Sequence, residues 1–112
     1  MSDPAFVVLF TGSREFRPTR AARLELREHA RGACVAMHGA ARGFDSMADA
    51  VVRHMRIPVI PVPAIWGAQK RKAGPLRNVR MLRWAKELAE ELGVDLRLIA
   101  GPPGPDLRRS QR

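Results

Sequence analysis

Four short apolar runs alternate with three stretches of helical periodicity along this chain. The first run, residues 5–10 (AFVVLF), is continuous and ends at TGSR. A run without apolar–polar alternation predicts a strand buried on both faces, as in a parallel sheet. Pro18 suits the first turn of a helix over 20–31, whose apolar stripe reads Ala21, Leu24, Leu26 and Ala30 and which Gly32 stops. Residues 33–37 (ACVAM) are the second buried run. From about Phe44 to Met55, the residues Phe44, Met47, Ala48, Val51, Val52 and Met55 recur at the spacing of an amphipathic helix. Residues 57–62 (IPVIPV) predict a third strand, and its two prolines place it at an edge or leave it pairing on one side only. A loop over 63–75 follows, with Pro63, Gly67, Gly74 and Pro75. A helix over 76–92 comes next, with Leu76, Val79, Leu82, Ala85, Leu88, Ala89 and Leu92 as its expected buried face, and Gly93 ends it. Residues 95–100 (DLRLIA) give a fourth strand.

The order β-α-β-α-β-α-β predicts parallel strands with helices on both faces of the sheet. The expected fold class is therefore α/β, a Rossmann-like sheet of about four strands. Residues 1–100 form one expected domain, and 101–112 (GPPGPDLRRSQR) read as a flexible basic tail.

Composition narrows the picture. The chain has 112 residues, 46% of them hydrophobic, enough for one domain with its own core. The single cysteine, Cys34, lies in an apolar run and has no second cysteine to join, so a buried structural thiol is expected. No His/Cys/carboxylate spacing suggests a metal. The first ten residues carry Asp3 and no basic stretch, and no apolar run is long enough to span a bilayer. The expectation is a cytoplasmic protein without membrane contact.

Charge changes the picture most. Lys and Arg number 20 against 11 Asp and Glu, a net charge of +9, and most of the excess is arginine. Such a balance points to an anionic partner. In a parallel sheet the carboxyl ends of all strands share one edge, and ligands bind outside it where strand order reverses. TGSR (11–14), HGAARGFD (38–45) and the loop from 63 to 78 therefore converge there. Bare backbone at Gly12, Gly39 and Gly43 lets N–H groups approach an anion, and the helix starting near Phe44 adds its positive end. Arg14 and Arg42 suit bidentate contacts to phosphate, and Thr11 and Ser13 offer hydroxyls. No GxSxG elbow surrounds Ser13, so it is not read as a nucleophile. His38 is either a base or a locally hydrogen-bonded residue at a strand end. Asp45 either holds a ribose hydroxyl or caps its own helix. Trp66 stacks on a base or plugs the loop. Lys70, Arg71, Lys72 and Arg77 join the same edge, opposed there only by Glu15 and Asp45.

Taken together, TGSR (11–14), HGAARGFDSMAD (38–49) and W-x7-AGPLRN-x2-ML (66–82) resemble the YspA-type, cpYpsA-related branch of the SLOG superfamily, which includes DNA-processing protein A and the Lonely-guy phosphoribohydrolases. The resemblance covers about residues 5–82. It implies a Rossmann-like fold and binding of nucleotides or nucleotide-derived small molecules. It implies ligand contacts at Gly12, Ser13, Arg14, Gly39, Arg42, Gly43, Asp45, Trp66, Gly74, Arg77 and Asn78. The pattern departs after the fourth strand. Where the family continues with a PGG-x-GT phosphate loop, this chain reads AGPPGPDLRRSQR, so the domain is expected to be shortened at its C-terminus. Proline lacks the N–H that cradles phosphate, and the carboxylate that the phosphoribohydrolases place after that loop has no counterpart.

Three functional expectations follow. The first is binding, with or without processing, of a phosphate-bearing nucleotide derivative at the carboxyl edge. An enzyme of this kind would be a nucleotide-processing hydrolase, with no catalytic residue identified. The second is binding of single-stranded nucleic acid, supported by the charge, Trp66 and the tail arginines Arg108, Arg109 and Arg112. The third is an interaction subunit that has lost its ligand. A homodimer is expected.

Overall fold

The computed structural model describes residues 5–64 and 73–101. The elements are β1 (Phe6–Thr11), α1 (Arg20–Ala30), β2 (Ala33–His38), α2 (Phe44–His54), β3 (Val59–Pro61), α3 (Ala73–Leu92) and β4 (Asp95–Ala100). The four strands form one all-parallel sheet in the order β3-β2-β1-β4. This is the Rossmann-like α/β arrangement that the alternation of patterns predicts.

β1 is the centre of the molecule. From Phe6 to Phe10 no side chain is more than 2% exposed. Its alternate residues feed two cores. Phe6, Val8 and Phe10 face α1 and α2, packing with Leu26, Ala30, Met47, Ala48 and Val52. Val7 and Leu9 face α3, packing with Val35, Met37, Met81, Ala85 and Ala89. Each such side chain contributes about 1.5–3 kcal/mol on burial, so an unalternating strand is stable only with helices on both sides. Cys34 is half-buried, and its thiol donates to the Phe6 carbonyl at 3.4 Å.

Four details differ from the sequence expectations. β3 is only three residues long, because Pro58, Pro61 and Pro63 leave few N–H groups for a ladder; it is an edge strand, as its prolines predict. α3 begins at Ala73, so Gly74 and Pro75 lie in its first turn, where proline is tolerated. In α1 the buried positions are Leu26 and Ala30, while Leu24 is 54% exposed. In α3 the buried face is Ala73, Arg77, Met81, Ala85 and Ala89; Leu76, Val79, Leu82 and Leu92 are exposed. The small alanines let the helix axis come close to the sheet, and that close approach outweighs burial of the larger leucines on the neighbouring face.

Candidate functional site

At the carboxyl edge β1 lies between β2 and β4, so the chain turns away in opposite directions on its two sides. This is the switch point where an open α/β sheet forms its crevice. Here the ring of Phe44, the first residue of α2, fills it. A Cβ on Gly12 would stand 2.4 Å from the Phe44 Cβ, and a Cβ on Gly101 would stand 2.5 Å from its Cδ1. Phe10 and Phe16 meet the ring edge-on, at centroid distances of 6.4 and 5.5 Å. The glycine of TGSR is bare in order to admit this ring.

The loop after β1 is stitched to the start of α2. The Ser13 carbonyl accepts the Phe44 N–H at 3.1 Å, and the Ser13 hydroxyl accepts the Glu15 N–H at 3.0 Å. Gly43 has φ of +79°, and a Cβ there would strike the carbonyl oxygens of Ser13 and Arg14 at 2.4 and 2.5 Å. Only glycine satisfies both constraints. One of the N–H groups expected to face an anion at this helix end is thus taken by protein.

On the β2 side of Phe44 lies a buried polar cluster. The Gly39 peptide is clipped from both sides: its N–H donates to Asp45 Oδ2 at 3.1 Å, and its carbonyl accepts from Arg77 Nη1. A Cβ at Gly39 would stand 2.5 Å from that guanidinium nitrogen, so the arginine lies directly on the glycine. Arg77 Nε also donates to Asn78 Oδ1 at 2.7 Å. Burial pushes the Arg77 guanidinium below the usual arginine range; Asp45 opposes the shift, and Arg14 and Arg80 add to it. Arg14 and Arg77 therefore lie within electrostatic reach of each other. Asp45 is buried, and of the two roles expected for it from sequence the helix cap is not the one seen: its carboxylate closes the loop. Burial pushes its carboxyl above the ordinary value of 3.8, against the pull of His38, the Ala41 and Gly39 amides, and Arg77. Its Oδ1 is the buried side-chain atom among the described residues without a hydrogen-bond partner.

No family model matches the chain, and neither a curated protein nor a solved structure is found to be similar to it.

His38 takes the local role. Its Nδ1 accepts the Ala40 N–H at 2.9 Å, which puts the proton of the neutral ring on Nε2, 2.7 Å from Asp49 Oδ1. Asp49 Oδ2 in turn accepts from Arg53 Nε at 2.7 Å. Partial burial pushes the Asp49 carboxyl up, but the bonds from Arg53 and His38 outweigh it and hold it below its ordinary value. With both ring nitrogens engaged, His38 orders the loop rather than acting as a base. Asp49 and Arg53 are participants that sequence reasoning missed; their i, i+4 spacing on α2 was the available signal. Ala40 has φ of +55°, a left-handed conformation that costs a non-glycine residue about 1–2 kcal/mol.

Thus the fold brings Gly12, Ser13, Arg14, Gly39, Gly43, Asp45, Arg77 and Asn78 to one edge of the sheet. Arg42 is exposed on the same loop as Gly39 and Gly43. Gly74 is half-buried in the first turn of α3, one turn before Arg77 and Asn78. Trp66, Lys70, Arg71 and Lys72, and the tail with Arg108, Arg109 and Arg112, lie outside the described residues. Among the described residues no group of three His, Cys, Asp or Glu side chains is placed to hold a metal ion, and no helix is long and apolar enough to cross a membrane.

Proposed function

We propose that this chain binds a phosphate-bearing nucleotide or nucleotide derivative at the carboxyl edge of its sheet, on the β2 side of Phe44. The observation that carries the reading is the buried Asp45, whose Oδ1 makes no hydrogen bond of normal geometry although the Ala41 amide acts on the carboxyl, in a cluster with Arg77, which in turn feels the Arg14 charge. A buried polar atom left unpaired costs about 1–3 kcal/mol, which a ligand hydroxyl or N–H would offset. Arginines flanking such an acceptor suit a ligand that joins anionic groups to donor groups, as a sugar phosphate does. Arg14 and Arg42 hold phosphate in this reading, Asp45 and Asn78 read ribose or base, and Arg77 sets the shape of the Gly39 loop. The strained Ala40 supports it, because unfavourable backbone conformations concentrate at ligand sites. The resemblance to the SLOG superfamily in TGSR and HGAARGFDSMAD supports it as well. Thermal shift with a panel of nucleotides tests it. Stabilisation of the wild type that Arg42→Ala removes is expected; no shift with any member, or an equal shift in Arg42→Ala, contradicts it.

A second reading, binding of single-stranded nucleic acid, is favoured by one observation. Arg23 and Arg27, exposed on α1, have no ion-pair partner among the described residues and flank a groove with Leu24, Ala50, Val51 and His54. Phosphate contacts would make binding fall steeply with salt. Salt-sensitive binding of single-stranded DNA that survives loss of Arg14 and Arg42 supports this reading.

A further inference from the structure

The two edges of the sheet are protected very differently. β3 is short and bracketed by Pro58, Pro61 and Pro63, which blunts it against pairing. β4 is six residues long and contains no proline, and among the described residues no strand lies beyond it. Leu98 on β4 is 59% exposed.

We propose that β4 pairs antiparallel with β4 of a second copy, about a two-fold axis at Leu96, with Asp95 of each chain opposite Arg97 of the other. The register follows from the backbone. The Gly101 N–H points inward, donating to the Thr11 carbonyl of β1 at 2.7 Å. Strand residues alternate in direction, so Asp95, Arg97 and Ile99 bond towards β1, while Leu96 and Leu98 turn their N–H and C=O groups outward. Outward residues must form the hydrogen-bonded pairs of an antiparallel ladder. In the middle of the strand that requirement allows two-fold axes at Leu96, Arg97 or Leu98.

Charge selects among them. An axis at Arg97 sets two Arg97 side chains directly opposite each other, which is unfavourable. An axis at Leu98 sets Arg97 against Ile99. An axis at Leu96 makes two Asp95–Arg97 pairs, sets Leu96 against Leu96, and places each exposed Leu98 against Val94 of the other chain. The faces agree. Leu96 packs with the core under α3, so Leu98 shares that side, and the Asp95–Arg97 pairs fall on the opposite side. There the Arg97 guanidinium lies 3.9 Å from the ring centroid of Phe6 on β1, and it would swing outward from that ring to meet Asp95 of the other chain. Each chain would offer the Leu96 N–H to the Leu96 carbonyl of the other and the Leu98 N–H to its Val94 carbonyl. The Val94 N–H is already engaged by the Ala89 carbonyl at 3.0 Å and is not needed. The occupant of this edge is therefore a second copy of the chain, and the sheet becomes an eight-stranded one.

Sedimentation velocity on a dilution series of wild type, Asp95→Arg, Arg97→Asp and the double exchange tests it. The wild type is expected to dimerise reversibly. Each single exchange creates two like-charge pairs and should weaken the dimer at least about tenfold. The double exchange restores both pairs and should recover most of the affinity. Leu98→Lys, at a site too exposed to threaten folding, should also dissociate the dimer. A wild type that stays monomeric throughout overturns the proposal. So does a dimer indifferent to the single exchanges or to Leu98→Lys, or a double exchange that stays folded but is no tighter than the singles.

Discussion

Arg77 donates from its buried guanidinium to the carbonyl of Gly39, a residue 38 positions earlier in the chain. This bond ties the start of α3 to the loop after β2. Gly39→Ala would place a methyl group 2.5 Å from Arg77 Nη1. The arginine would have to swing away, leaving a buried carbonyl without its donor. A loss of about 1–3 kcal/mol is expected in urea denaturation. An unchanged midpoint would show that this clasp does not hold the loop.

Phe44 supports both ends of the switch-point crevice. Phe44→Ala should cost about 3–5 kcal/mol, as for other large core aromatics. Gly12→Ala should also be strongly destabilising, because its Cβ meets the rigid start of the Phe44 side chain at 2.4 Å. The Phe44→Ala background removes the Cγ and Cδ2 that a Gly12 Cβ would meet at 2.4 and 2.5 Å but keeps the Phe44 Cβ, so the same Gly12→Ala change should cost less there without becoming neutral. Strictly additive effects in this double-mutant cycle would contradict the wedge.

Asp45 predicts a pH dependence of definite sign. Its folded carboxyl lies above 3.8, so the folded state holds that proton more tightly than the unfolded chain does. Its contribution to stability is complete below the unfolded value and is lost as pH rises through the folded one. Asp45→Asn, which cannot ionise, should flatten the fall in melting temperature as pH rises above about 4. Its gain over wild type should grow as the pH rises. Asp49 acts in the opposite sense, since its carboxyl is held below 3.8 and its contribution disappears only on stronger acidification. Parallel melting curves for wild type and Asp45→Asn would contradict the buried, proton-retaining Asp45.

Much of the fold was legible because burial on two faces leaves a plain mark: β1 and most of β2 read as unbroken apolar runs. The prolines of β3 marked an edge for an equally local reason. The face of α3 was not legible. Leu76, Val79 and Leu82 fit a helical stripe as well as Ala73, Arg77 and Met81 do, and only the closeness of helix to sheet decides between them. Met81→Ala should therefore cost about 2–5 kcal/mol in thermal or urea unfolding, whereas Val79→Ala should change stability by less than about 0.5 kcal/mol. Comparable losses from the two would mean that the helix sits on its other face. At the site, the strand order placed the loops after β1 and β2 at one edge, but the glycines in them read only as room for an approaching anion. Gly12 makes room for an aromatic ring and Gly39 for an arginine, and neither neighbour is near in sequence.

The most direct test of the central claim is a titration of the amide spectrum of the isotope-labelled protein with a nucleoside monophosphate, with inorganic phosphate as control. Shifts should gather at Gly12 to Arg14, Gly39 to Asp45 and Asn78, and saturate at lower concentrations with the nucleotide than with phosphate alone. An unperturbed spectrum, or shifts confined to Arg23, Arg27 and their neighbours on α1 and α2, would contradict a nucleotide site at the carboxyl edge.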